Sequence, residues 1–154
     1  MASMGKDIGA ETLVRTNMTA AMAGATTNAG AALNIAALPA RPNSVRAIIG
    51  VRANLDDGDS ATLDNIKLVS DSASNFAAAV TRATASDVTL SAVTGDSNVD
   101  YLDAIEMDLD LGQLPESHVW LRVSARSTLS DTTNTSGQVF GVLVFGGLST
   151  APAA

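Results

Sequence analysis

Acidic residues are the first candidates for chemistry in this sequence. Asp56, Asp57 and Asp59 crowd the stretch "DDGD". Such closely spaced oxygens suggest calcium, but an EF-hand loop needs ligands at alternating positions, a closing Glu and a helix on each side. The stretch lacks the full spacing and the flanks, and its composition is that of a solvated turn. Glu106, Asp108 and Asp110 stand two apart in "YLDAIEMDLDLG". Paired carboxylates hydrolyse glycosides from opposing elements around a cleft. Three on one face of a single strand are solvent-facing charges, and turned inward they would resist joint ionisation.

His118 is the only histidine, and there is no cysteine. Thiolate chemistry and disulfides are therefore excluded. A serine triad would need a nucleophile beside His118, and no Gly-x-Ser-x-Gly element is present. The glycines of "FGVLVFGG" lack the spacing of a phosphate or dinucleotide loop. The expectation is a protein that is not an enzyme, with no catalytic residues, no metal and no cofactor. Asn17 and Asn134 open "NMT" and "NTS" sequons, which without a visible secretory signal are chance matches.

The elements that carry these residues alternate with period two. In "YLDAIEMDLDLG", Tyr101, Ile105, Met107, Leu109 and Leu111 share a face, and Glu106, Asp108 and Asp110 share the other. Asp103 falls on the apolar face, where it would cap a turn or pair with an arginine. "SVRAIIGVRANL" sets Val45, Ala47, Ile49 and Val51 against Arg46 and Arg52, and "SHVWLRVSAR" sets Val119, Leu121 and Val123 against Trp120 and Arg122. Further strands are expected at "ATLDNIKLVS", "SNFAAAVTRA" and "SDVTLSAV". Gly, Asp, Asn and Ser turns separate them, so an all-β fold follows: an antiparallel, jelly-roll-like β-sandwich over residues 45–150.

The stretch "SGQVFGVLVFGG" is apolar on both faces, with Val139, Gly141, Leu143 and Phe145 opposite Phe140, Val142 and Val144. One face meets the core. The other is free for an arm, a neighbour or a second subunit, and Phe140 and Phe145, one on each face, are the candidate contacts. Trp120, on a polar face, is a further interface candidate.

Residues 1–44 differ in character. "NMTAAMAGATTNAGAALNIAALPA" is low in complexity, Gly24, Gly30 and the Asn residues interrupt any helical pattern, and Pro39 and Pro42 mark the entry into the body. An extended or irregular arm is expected, with one short strand at "AALNIAAL". Residues 1–52 carry five Lys or Arg against two acids, a net +3, and residues 53–154 carry four against fourteen, a net −10. Arg15, Arg41 and Arg46 are the candidate charged contacts of the arm and its junction. The acidic body argues against nucleic acid as the main partner. No apolar run reaches the roughly 20 residues of a membrane span.

Residues 45–147 resemble small structural proteins of tailed-phage heads. In that family a strand and polar turn of the form LQ-E-S-D-D is followed by a Y-V-R-V strand, a Thr/Gly loop and a short apolar last strand. Here "IKLVSDS" stands at 66–72, with Leu68 and Ser70 in place of the Gln and Glu, "VWLRVSA" at 119–125, then a Thr-rich loop and "SGQVFGVLVFGG". The resemblance implies a capsid decoration, or cement, protein. It would be made in the host cytoplasm and sit on the outer surface of the virion head. It would bind the major capsid protein and bridge capsid subunits as a homo-oligomer, with a trimer favoured. Alternatives are a tail or head-fibre component, or a carbohydrate-binding β-sandwich. The latter has little to stack on sugars, with one Trp and one Tyr.

Overall fold

The structure, a computed structural model, describes residues 13–38, 42–133 and 135–147. Ten strands are present among them: β1 (Leu13–Ala21), β2 (Thr26–Ala29), β3 (Leu33–Asn34), β4 (Ser44–Leu55), β5 (Ser60–Asp71), β6 (Val80–Thr84), β7 (Val88–Ser91), β8 (Val99–Asp110), β9 (Trp120–Leu129) and β10 (Ser136–Gly146). One-turn 3-10 helices at Ile35–Ala37 and Leu111–Gln113 are capped by the side chains of Asn34 and Asp110. No helix among the described residues is long and apolar enough to cross a membrane.

Two antiparallel sheets pack as a sandwich. The first has the order β1-β10-β4-β8, and the second β2-β9-β5-β6, with β3 also on β9 and β7 also on β5. Take β2 with β3 as one interrupted strand, and β6 with β7 as another. The first strand then pairs with the last, the second with the seventh, the third with the sixth and the fourth with the fifth. This is one long antiparallel ribbon rolled up, the jelly roll.

Rolling explains where residues 13–38 go. A sandwich built from residues 45–147 alone would lack the first strand and the second. Those strands are β1, along β10, and β2 with β3, along β9. The low-complexity stretch is extended, as expected, but it lies within both sheets and is not an arm apart from the body. Met18 and Met22 are buried in the same core as β4 and β10. Residues 1–12 lie outside the described residues.

The core follows the period-two pattern. Val45, Ala47, Ile49 and Val51 of β4, Val139, Leu143 and Phe145 of β10, Leu63, Ile66 and Leu68 of β5, and Leu121 and Val123 of β9 are all 1% exposed or less. Burying such a side chain stabilises the fold by about 1.5–3 kcal/mol.

One expected strand is largely absent. Only its last four residues, 80–83 of "SNFAAAVTRA", belong to a strand, β6. The preceding loop is tied by Asp71, whose Oδ1 accepts from Ala73 N at 3.1 Å and Oδ2 from Ala78 N at 2.9 Å. Phe76 folds back from it onto Arg122 on the outer face of the second sheet, with φ of 55°, and is 6% exposed. The loop thus satisfies its backbone on a carboxylate and not on a neighbouring strand.

Candidate binding surface

The outer face of the first sheet answers what covers the second apolar side of β10. Phe140, Val142 and Val144 point away from the core there and are half-buried. Register places Val14 and Thr16 of β1 on one side of this row, and Gly50, Ile48 and Arg46 of β4 on the other. Nothing in the chain's described residues lies across it as a third layer: Val14 is 56% exposed and Leu102, on β8, 67%. The half-burial of the row comes from its own neighbours. The Phe140 ring fills the space over Gly50 where a side chain would stand, as aromatic side chains do across from sheet glycines.

Charge borders this apolar row on its β4–β8 side. Arg46 Nε donates to Asp108 Oδ1 at 2.7 Å, and its Nη1 lies 3.1 Å from Glu106 Oε2. Arg52 Nη2 donates to Asp100 Oδ2 at 2.7 Å, and Asn54 donates to the other oxygen at 3.1 Å. The Arg46 guanidinium holds the Asp108 carboxyl below the usual carboxylate range, and Arg52, then Asn54, does the same for Asp100. These pairs are exposed, so they contribute little to stability and more to fixing which groups face solvent.

The expected interface residues separate. Phe140 is on the outer face. Phe145 is not: it is wholly buried between the sheets, opposite Val45 and Leu13, because residue 145 has the parity of Leu143. Arg15 is exposed at the β1 edge, and Arg46 is engaged by Glu106 and Asp108 within the chain. Arg41 lies outside the described residues. Trp120 is half-buried on the outer face of the other sheet, paired with Asp71 and Asn34. Ile48, Val14 and Leu102 belong to the apolar face and were legible from strand parity once β1 and β8 were placed beside β10 and β4.

Elsewhere the polar residues are structural. Asp56 Oδ1 accepts from Asn98 N at 2.6 Å and Asp59 Oδ1 from Ser130 Oγ at 3.2 Å, which ties the 56–59 turn to two neighbouring loops. Among the described residues no three carboxylates or histidines converge as metal ligands. Among the described residues Asp103 pairs with no arginine, and it accepts from Ala104 N at 2.8 Å. Asn17 is 6% exposed and bonded on both amide ends, so its sequon has no accessible amide.

A cluster that the sequence did not reveal joins Ser70, Arg82 and His118. Ser70 Oγ accepts from Arg82 Nε at 2.7 Å and lies 3.0 Å from His118 Nδ1, which is 3.1 Å from Arg82 Nη2. A serine beside a histidine invites a nucleophile reading. Ser70 has no exposed surface, and Arg82 occupies the ring nitrogen that would take its proton. The cluster satisfies buried polar atoms where β6 meets β5. His118 also borders an open depression of about 780 Å³ between the two 3-10 turns, floored by Ile35, Leu38, Leu111 and Leu114.

No family model matches the chain, and no curated protein matches it. Among solved structures it is similar to the PBSX exported protein XepA, with 13% identity and a TM-score of 0.44 over 92% of this chain. The chain spans 40% of that protein's length.

Proposed function

We propose that this chain is a structural protein of a tailed-phage head, a decoration or cement protein that binds the major capsid protein on the outer surface of the shell and bridges capsid subunits. It works by binding and not by catalysis. The observation that carries the reading is the uncovered apolar row Phe140, Val142 and Val144 on a sheet face, continued by Ile48 and Val14. Contiguous apolar surface of this kind marks an interaction site. The jelly roll and the motif order along residues 66–147 support the phage head as its setting.

Each copy would contribute a small face, and repetition over a lattice of identical subunits would multiply a modest affinity. Arg46 and Arg52 already have carboxylate partners, so docking through this face depends weakly on salt.

The test mixes undecorated heads with wild-type protein and with Phe140→Asp/Val144→Asp, and counts bound copies per head. The variant should lose at least about tenfold in affinity, since fully burying a side chain of this size is worth roughly 1.5–3 kcal/mol, while its circular dichroism stays that of a β protein. Equal occupancy by the two proteins would overturn the reading, as would label confined to one vertex or to the tail.

A further inference from the structure

We propose that the outer face of the second sheet receives the acidic β8 margin of another copy of this chain, in a head-to-tail contact. The contact takes up the homo-oligomer that goes with a decoration protein and names its surfaces. It needs no phage head to form.

The cations of the second sheet are the starting point. Lys67, Arg122 and Arg126 all point outward from β5 and β9. Register sets Lys67 opposite Ser124, between Arg122 and Arg126 on β9, so Lys67 is a diagonal neighbour of each arginine, about 7–8 Å away. Among the described residues no carboxylate lies within 4.0 Å of any of them. Asp64 is opposite Arg126 in the register and does not reach it. Asp71 is on the same face, and both its oxygens are occupied by loop backbone.

Arg122 is held ready. Its guanidinium carbon sits 4.1 Å from the Phe76 ring centroid, and its Nε is buried without any hydrogen-bond partner. The ring fixes the side chain, and no carboxylate of the described residues neutralises its charge.

The opposite excess lies along β8. This edge strand carries Asp100, Glu106, Asp108 and Asp110 on its outer face against only Arg46 and Arg52 on β4, with Asp103 on its other face. All five acids are exposed. Like charges grouped on one patch repel, and a patch of each sign on one molecule is relieved when two copies meet. Three cations on a chain of net charge −7 are too few for a phosphate backbone. The two patches occupy different surfaces, so the contact is heterologous, and it makes a ring when its rotation closes. A trimer is such a ring.

The test uses two charge reversals in full-length protein, one on each patch: Lys67→Glu/Arg126→Glu, and Glu106→Lys/Asp110→Lys. Sedimentation velocity at low salt should show association of the wild type that weakens as salt is added. Each variant alone should associate at least about tenfold more weakly. An equal mixture should recover association, because each reversed patch then meets its opposite. If a reversal unfolds the chain by circular dichroism, Lys67→Gln/Arg126→Gln replaces it and should weaken association in the same direction. A wild type that stays monomeric at every concentration and salt overturns the proposal. So does a face variant that associates like the wild type, the outcome expected if copies meet through Phe140 and Val142. A mixture that fails to recover overturns it too. Shell occupancy is a separate readout, so loss of one activity leaves the other intact.

Discussion

Phe140 and Gly50 form one unit on the outer face of the first sheet. They are directly paired across β10 and β4, and the phenyl ring stands where a side chain at residue 50 would be. Gly50 is buried beneath that ring although it faces outward. Gly50→Val should therefore push the ring off the sheet without disturbing the core. The expected loss of stability is about 1–2 kcal/mol, measured by urea unfolding. Shell binding should fall with it, because the apolar row changes shape. Unchanged binding with a displaced ring would take Phe140 out of the contact.

Asn17 is a second joint. β1 carries an irregularity between Thr16 and Met18, and this turns Asn17 into the space between the sheets. Its Oδ1 accepts from Val123 N at 2.9 Å and its Nδ2 donates to Ala31 O at 2.8 Å. Gly30 leaves the room, since a side chain there would overlap the Asn17 amide. Asn17→Ala orphans two backbone groups and should cost about 2–4 kcal/mol, read as a lower urea midpoint with the same slope. A change under about 0.5 kcal/mol would mean that water replaces the amide without loss.

The sandwich was legible in residues 45–147 because apolar and polar residues alternate there. Val45, Ile49 and Val51 on one face of β4 and Arg46 and Arg52 on the other allow only one orientation. Residues 13–38 gave no such signal. β1 is LVRTNMTAA and β2 is TTNA, rich in Ala, Thr and Asn, and their pairing depends on β10 and β9 and not on their own pattern. The proposed binding face is half legible. The doubly apolar run of β10 points to it, but alternation alone does not say whether Phe140 or Phe145 meets the core, which pairing with β4 decides. The Ser70, Arg82 and His118 cluster joins residues up to 48 positions apart, a contact that spacing does not encode.

The roll makes a firm prediction about the N-terminal third. Deleting residues 1–38 removes the first and second strands, exposes the far edge of β10 and strips Met18 and Met22 from the core. The shortened protein should lose its cooperative thermal transition and aggregate through the bared edge of β10. A folded, monodisperse product with the wild-type transition would mean that residues 45–147 suffice as a domain.

Acid should weaken the fold through a small set of carboxylates. For Asp71, burial pushes its pKa up, but the N–H groups of Ala73, Ala78 and Ser72 outweigh this and leave it below its ordinary value. Tyr101 lowers Asp96, Arg52 lowers Asp100 and Arg46 lowers Asp108. Each folded pKa thus lies under the unfolded value of about 3.9. Above that value both states are ionised and the stabilisation is complete. Below it the unfolded chain binds more protons, and stability falls as pH drops through the folded pKa. The thermal midpoint should hold steady from neutrality to about pH 5 and decline below about pH 4. Asp71→Asn should unfold at a lower temperature at neutral pH, because the amide offers one acceptor where two backbone N–H groups need one each. Its midpoint should also fall less steeply in acid, since one of the titrating groups is gone. A variant with the wild-type slope below about pH 4 would show that the 72–79 loop does not depend on the Asp71 charge.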